Sequence, residues 1–149
     1  MRLGVRLGER LQTGDLLCLS GELGSGKTTL MIGIGRGWGA LETVTSPSFV
    51  LVNEYRRADG LVVWHLDCYR LNSGADALAL GFEDLLGDAN GRGVIVIEWP
   101  ERILEVLPAE RLNVALRWVD DEKRGFRLDA VGARYETLLK EFRKAAFGS

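Results

Sequence analysis

The sequence predicts an α/β fold: a three-layer sandwich whose mixed sheet has a parallel core with antiparallel hairpins added to it. Three observations predict it. Leu16-Leu17-Cys18-Leu19-Ser20 is a short apolar run, and a glycine-rich loop separates it from Thr29-Leu30-Met31-Ile32-Gly33-Ile34, which can open a helix. Val94-Ile95-Val96-Ile97 is apolar without a break, as expected of a central parallel strand covered on both faces. Leu112, Val114, Leu116 and Trp118 alternate with Arg111, Asn113, Ala115 and Arg117, the period of a strand with one buried face.

The remaining elements follow in chain order. Leu3, Leu7 and Leu11 recur every four residues, which predicts a short amphipathic helix stopped at Gly14. Strand Leu16–Ser20, the glycine-rich loop and a helix to about Gly37 come next. Ala40–Phe49 is polar and contains a proline, so it reads as a loop. Val50–Arg57 and Leu61–Asp67 read as two strands around Ala58-Asp59-Gly60, a hairpin signal. Asn72–Asp88 has a helical pattern, short and interrupted by Gly81. Asp120-Asp121-Glu122-Lys123-Arg124-Gly125 is a charged turn at a solvated hairpin tip, and Phe126, Leu128 and Ala130 alternate on the returning strand. A last helix from about Ala133 puts Tyr135, Leu138, Leu139, Phe142 and Ala146 on one face and turns Arg134, Lys140, Arg143 and Lys144 to water.

Bulk properties narrow the function. The chain's 149 residues, 46% of them hydrophobic, are enough for one domain over 1–149 with its own core, and there are no repeats or linkers. No apolar run approaches the ~20 residues of a membrane span, and the N-terminus does not read as a signal peptide. Cys18 and Cys68 fall in apparent buried strands and read as core residues rather than a disulfide, which suits a reducing cytoplasm. The net charge of −2 gives no broad basic surface, so any grip on RNA is expected to come mostly from partners.

Gly21-Glu22-Leu23-Gly24-Ser25-Gly26-Lys27-Thr28 fits G-x-x-x-x-G-K-[ST] at every fixed position, between the strand and the helix that this motif requires. The glycines let backbone N–H groups turn inward around phosphate oxygens. Lys27 would reach the β- and γ-phosphates, the Thr28 hydroxyl would bind Mg²⁺, and the helix N-terminus adds partial positive charge. The motif makes the chain a nucleoside-triphosphate binder and the fold P-loop NTPase-like.

Such a loop needs an acid at the end of another strand to hold Mg²⁺ directly or through water. Glu98 closes the Val94–Ile97 run and Asp67 closes Leu61–Leu66. Ligands collect at the carboxyl ends of parallel strands, where Glu98 belongs. Asp67 also suits a plain turn. Thr45-Ser46-Pro47-Ser48 offers hydroxyls where GTPases carry a switch loop, but composition alone favours a Ser/Thr turn fixed by Pro47. His65, the only histidine, reads as packed in its strand, and Trp99-Pro100 either stacks on a base or fills a gap.

Several further blocks stand in a recognisable order. They are Gly14-Asp15, Ser20 through Thr29, Thr45-Ser46-Pro47-Ser48-Phe49, Leu51-Val52-Asn53-Glu54-Tyr55, His65-Leu66-Asp67-Cys68-Tyr69-Arg70-Leu71 and Ile97-Glu98-Trp99-Pro100-Glu101-Arg102. With them the chain, from about Leu7 to Leu139, closely resembles the TsaE (YjeE) family, small bacterial ATPases of tRNA threonylcarbamoyladenosine modification. The resemblance implies a weak ATPase that works with the TsaD and TsaB subunits and meets tRNA through that complex. It implies that Gly21 to Thr29 cradle the nucleotide, with Lys27 and Thr28 serving phosphate and metal. It also implies that Asp67 and Glu98 sit at the metal, Trp99 lies beside the nucleotide, and Thr45–Ser48 form a switch-like loop. Ser48 and Ser25 stand where the family usually has Thr and Ala, both mild departures. The family also carries more residues before the Leu3-Leu7-Leu11 helix, so an edge element upstream of Met1 is expected.

Two other readings bear on the same loop. A small-molecule P-loop kinase would add an Arg-bearing lid, whereas Asn72–Asp88 carries no Arg or Lys. A nucleotide-gated interaction module without significant hydrolysis stays open, since no residue is an obvious water-activating base. A GTPase would need Asn-Lys-x-Asp, which the chain lacks.

Overall fold

A computed structural model of the chain describes residues 2–21, 26–45, 52–120 and 123–148. Its elements, in chain order, are α1 (Arg2–Gly8), β1 (Leu16–Ser20), α2 (Lys27–Trp38), β2 (Glu42–Thr45), β3 (Val52–Arg56) and β4 (Val62–Asp67). They continue with α3 (Gly74–Ala79), α4 (Phe82–Arg92), β5 (Gly93–Glu98), β6 (Arg111–Asp120), β7 (Lys123–Val131) and α5 (Ala133–Phe147). The strands form one sheet in the order β2-β3-β4-β5-β1-β6-β7. The four inner strands β4, β5, β1 and β6 pair in parallel, while β2–β3, β3–β4 and β6–β7 pair antiparallel. The α/β class and the parallel core with added hairpins are as the sequence predicts.

Period-two alternation divides the core between the two faces of the sheet. Leu17, Leu19, Val63, Val94, Val96 and Val114 pack with Leu7 of α1, Met31 and Ile34 of α2, and Leu138 and Phe142 of α5. Leu16, Cys18, Trp64, Leu66, Ile95 and Ile97 face the other way, against Phe82 and Ala89 of α4 and Ile103. Three layers result. β5 is buried along its whole length, which is why its sequence shows no polar alternation until Glu98.

The helix pair α1–α2 is joined through glycine. A Cβ at Gly4 would strike the Leu30 carbonyl oxygen, one at Gly8 the Ile34 carbonyl, and one at Gly37 the Val5 carbonyl. The backbones therefore approach closer than any side chain would allow, and α1 anchors the helix that follows the phosphate loop.

Four expectations need correction. The first helix ends at Gly8 rather than running on to Gly14. Ala40–Phe49 is not all loop: Glu42–Thr45 forms edge strand β2, paired with Asn53–Arg56, because pairing with β3 satisfies its backbone whatever its composition. Ser46–Phe49 lie outside the described residues. The charged turn is narrower than Asp120–Gly125, since β6 runs through Asp120 and β7 starts at Lys123 with Asp120 paired to Lys123. Arg134 does not point to water. It donates two hydrogen bonds to the buried Asp15 carboxylate, at 2.9 and 2.8 Å, and one to the Arg10 carbonyl at 3.1 Å. A buried carboxylate must be paired, and Asp15 recruits the first arginine of α5. Gly81 interrupts the helical segment as expected, in the left-handed region at φ 95° between α3 and α4.

Candidate nucleotide site

β1 delivers the chain to the phosphate loop. Gly21 leaves it at φ 147° and Gly26 re-enters at φ 101°, ψ 13°, a left-handed conformation at the N-cap of α2 that a side chain disfavours. Glu22, Leu23, Gly24 and Ser25 lie outside the described residues. Lys27 is the first residue of α2, followed by Thr28 and Thr29, both exposed.

The parallel ladder fixes the two acids. Asp67 of β4 is in register with Glu98 of β5, and Glu98 with Leu19 of β1, so Glu98 ends its strand beside the one that feeds the loop and Asp67 ends the next strand out. The Cys68 amide extends the ladder by donating to the Glu98 carbonyl at 3.0 Å. Their settings differ. Asp67 is exposed, and its Oδ1 accepts the Tyr69 amide at 3.0 Å, the local turn contact its residue type favours. Glu98 is buried, and its Oε2 lies 2.6 Å from His65 Nε2. Burial pushes the Glu98 carboxyl up, but the hydrogen bond from His65 and the charges of His65 and Lys27 outweigh it and hold the group below its ordinary value. Glu98 is thus kept as an anion.

Lys27 is the counterpart. It is only 6% exposed, and its Nζ has no hydrogen-bond partner among the described residues. The ammonium rests 4.1 Å from the Trp99 ring centroid, on the π face. Trp99 is the only described non-glycine residue at positive φ (59°, ψ 49°), a strained conformation that lets β5 end and the 3-10 turn Pro100–Arg102 begin at once. Tyr69 packs against Trp99 with ring centroids 4.9 Å apart, and the Arg102 guanidinium lies 5.7 Å from the Tyr69 ring and 6.0 Å from the Trp99 ring. The indole therefore contacts Lys27, Tyr69 and Arg102.

The structure brings together Lys27, Trp99 and Glu98, with Asp67 on the neighbouring strand. Thr45 closes β2 in register with Asn53, and its side chain is outside what the structure describes, as are Ser46 to Ser48. The sequence reads His65 as a packing residue, yet in the structure it meets Glu98. The available signal was period two: His65 and Asp67 share one face of β4, the face on which Glu98 stands. Among the described residues no three His, Cys, Asp or Glu side chains gather into a metal cage. Mg²⁺ does not require one, since it keeps several waters and binds through one or two carboxylates and the substrate's phosphates. A buried ammonium with no hydrogen-bond partner among the described residues, beside a buried carboxylate and at the end of a glycine-rich loop, fits a phosphate chain with its divalent cation.

Residues 1–126 match the family described as "Threonylcarbamoyl adenosine biosynthesis protein TsaE". The chain belongs to the TsaE family. It is 39% identical over 129 residues to the tRNA threonylcarbamoyladenosine biosynthesis protein TsaE of Bacillus subtilis, covering 86% of this chain and 77% of that protein. It is 42% identical over 141 residues to the protein of the same name in Streptomyces coelicolor, covering 91% and 93%. The crystal structure of Bacillus subtilis YdiB superposes with a TM-score of 0.74 at 33% identity, over 96% of this chain and 86% of that one. Membership gives the chain a place in tRNA threonylcarbamoyladenosine biosynthesis, in a family of nucleotide-binding proteins. No helix among the described residues is long and apolar enough to cross a membrane.

Proposed function

We propose that the chain is a single cytoplasmic ATPase domain that binds MgATP, hydrolyses it slowly alone, and acts with TsaD and TsaB in modifying tRNA. Gly21 to Thr29 hold the triphosphate, with Thr45 near it at the end of β2, and Lys27 neutralises its β- and γ-oxygens. Thr28, Glu98 and Asp67 hold Mg²⁺, Glu98 from its buried position and Asp67 from the exposed rim. When bound, the cation withdraws charge from the phosphates and helps the leaving group depart. Trp99 lies against the nucleotide and excludes water from its side of Lys27.

The observation that carries the reading is Lys27, whose charge is buried with no hydrogen-bond partner among the described residues. An unpaired buried ammonium is expensive, and a phosphate chain is the ligand that would repay it. The kinase reading has no comparable support, for α3 and the start of α4 offer Asp76, Glu83 and Asp84 rather than phosphate-gripping cations. The test is phosphate release from ATP by the protein alone, then with both partners and tRNA. A slow rate alone and a faster one in the assembly are expected. Phosphate appearing on a small-molecule acceptor would overturn the reading.

A further inference from the structure

The histidine of β4 has no part in the function proposed above. We infer that His65 is a positioning residue that fixes the Glu98 carboxylate for the divalent cation, an inference that rests on the MgATP reading of the site.

Register dictates the meeting. Asp67 stands opposite Glu98 and His65 opposite Val96, so His65 lies one pleat behind Glu98 on the same sheet face and reaches it diagonally. Both side chains are nearly closed off, at 11% and 12% exposure. Glu98 is an acceptor, so Nε2 carries the hydrogen and donates to Oε2 at 2.6 Å, the short distance of a charge-assisted bond. No other hydrogen bond to the Glu98 side chain occurs among the described residues, which leaves Oε1 for the cation or its water.

The ring itself is positioned by packing alone. Its Nδ1 is buried with no partner among the described residues, and Tyr55 lies beside it with ring centroids 6.3 Å apart. A histidine kept only for packing would forfeit a hydrogen bond at Nδ1 for nothing that an apolar side chain could not supply better. The bond to Glu98 is what the imidazole adds. Without it, no hydrogen bond among the described residues fixes which way the Glu98 carboxylate turns its oxygens. The partner that orients a metal-binding carboxylate commonly matters as much as the ligand, with losses of about 10- to 100-fold on its removal.

The experiment separates binding of nucleotide from binding of its cation. ADP affinity is measured by calorimetry with EDTA and with Mg²⁺ for wild type, His65→Phe, His65→Asn and His65→Gln, and Mn²⁺ binding in the presence of ADP is followed by electron paramagnetic resonance. Gln can place an N–H near the position of Nε2, whereas Asn is too short to reach Glu98 and Phe has no donor. Phe and Asn should weaken Mn²⁺ binding by about 10-fold or more. Metal-free ADP affinity should be unchanged in all, and Gln should stay within a few-fold of wild type. If Phe does not fold, the Asn and Gln pair decides. Equal Mn²⁺ affinity in Asn and wild type overturns the inference, as does a loss in Gln equal to that in Asn, which would make His65 a packing residue. Wild type whose ADP binding ignores Mg²⁺ would instead sink the MgATP reading itself.

Discussion

Lys27 carries contrary obligations to folding and to activity. Burying its ammonium with no hydrogen-bond partner among the described residues costs stability, only partly offset by the Trp99 face, where a cation–π contact contributes about 0.5 to 2 kcal/mol. Lys27→Ala should therefore melt at or slightly above the wild-type temperature, while turnover falls by at least about 10²-fold, the scale for losing one preorganised stabilising group. Near wild-type phosphate release would remove Lys27 from the mechanism. Trp99 supplies an optical reading of the same event, because a phosphate chain would draw the ammonium away from the ring it now covers. Intrinsic fluorescence should change on adding MgADP and lose that change in Trp99→Phe, where the buried Trp38 and Trp64 still emit. Persistence of the signal in Trp99→Phe would put the indole away from the nucleotide. Lys27, Asp67 and Glu98 were legible in the sequence because one motif and two strand ends define them. The ammonium on the Trp99 face and the His65 bond were not, since each depends on how neighbouring strands end in space rather than on spacing along the chain.

Elements with a clear hydrophobic period were readable, and those shaped by a neighbour were not. β1 and β5 declare themselves by unbroken apolar runs, and Gly81 marks the break between α3 and α4. β2 escaped notice because its strand character comes from pairing with β3, not from its own residues. The glycine seam between α1 and α2 escaped as well, because glycine inside a helix lowers propensity and reads as a weakness. Its purpose is contact. Gly8→Ala would drive a methyl into the Ile34 carbonyl and should destabilise the fold by about 3 kcal/mol, the upper part of the range for overpacking. Gly87, exposed within α4 with nothing within 4 Å of a built Cβ, is the control. Gly87→Ala should gain up to about 1 kcal/mol from helix propensity alone. Chemical denaturation of the two variants compares them directly, and a Gly8→Ala protein as stable as wild type would show that α1 is not locked to α2.

At the scale of the molecule, the sheet gathers the ends of β1, β4 and β5 on one edge, so Lys27, both acids and the Trp99 cluster stand together there. Any partner that reads the nucleotide must approach that edge or touch a segment that moves with it. Among the described residues Lys27 is the only buried lysine or arginine, so the isolated chain brings one enclosed cation to a triphosphate whose charge grows on the leaving group during hydrolysis. In other phosphate-loop enzymes an arginine supplied in trans raises turnover by about 10³- to 10⁵-fold. On the function proposed above, TsaD and TsaB should accordingly stimulate hydrolysis through a residue of their own. Coupling between two binding equilibria is reciprocal, so whatever factor the nucleotide imposes on partner affinity must return in nucleotide affinity on adding the partners. Titration calorimetry can close that cycle: partners into the protein with and without a non-hydrolysable ATP analogue, then the analogue into the protein with and without the partners. The two factors should agree and exceed about 5-fold, the lower end of ordinary allosteric coupling. A factor of one on both arms, with turnover indifferent to the partners, would leave this edge of the sheet a site for nucleotide alone.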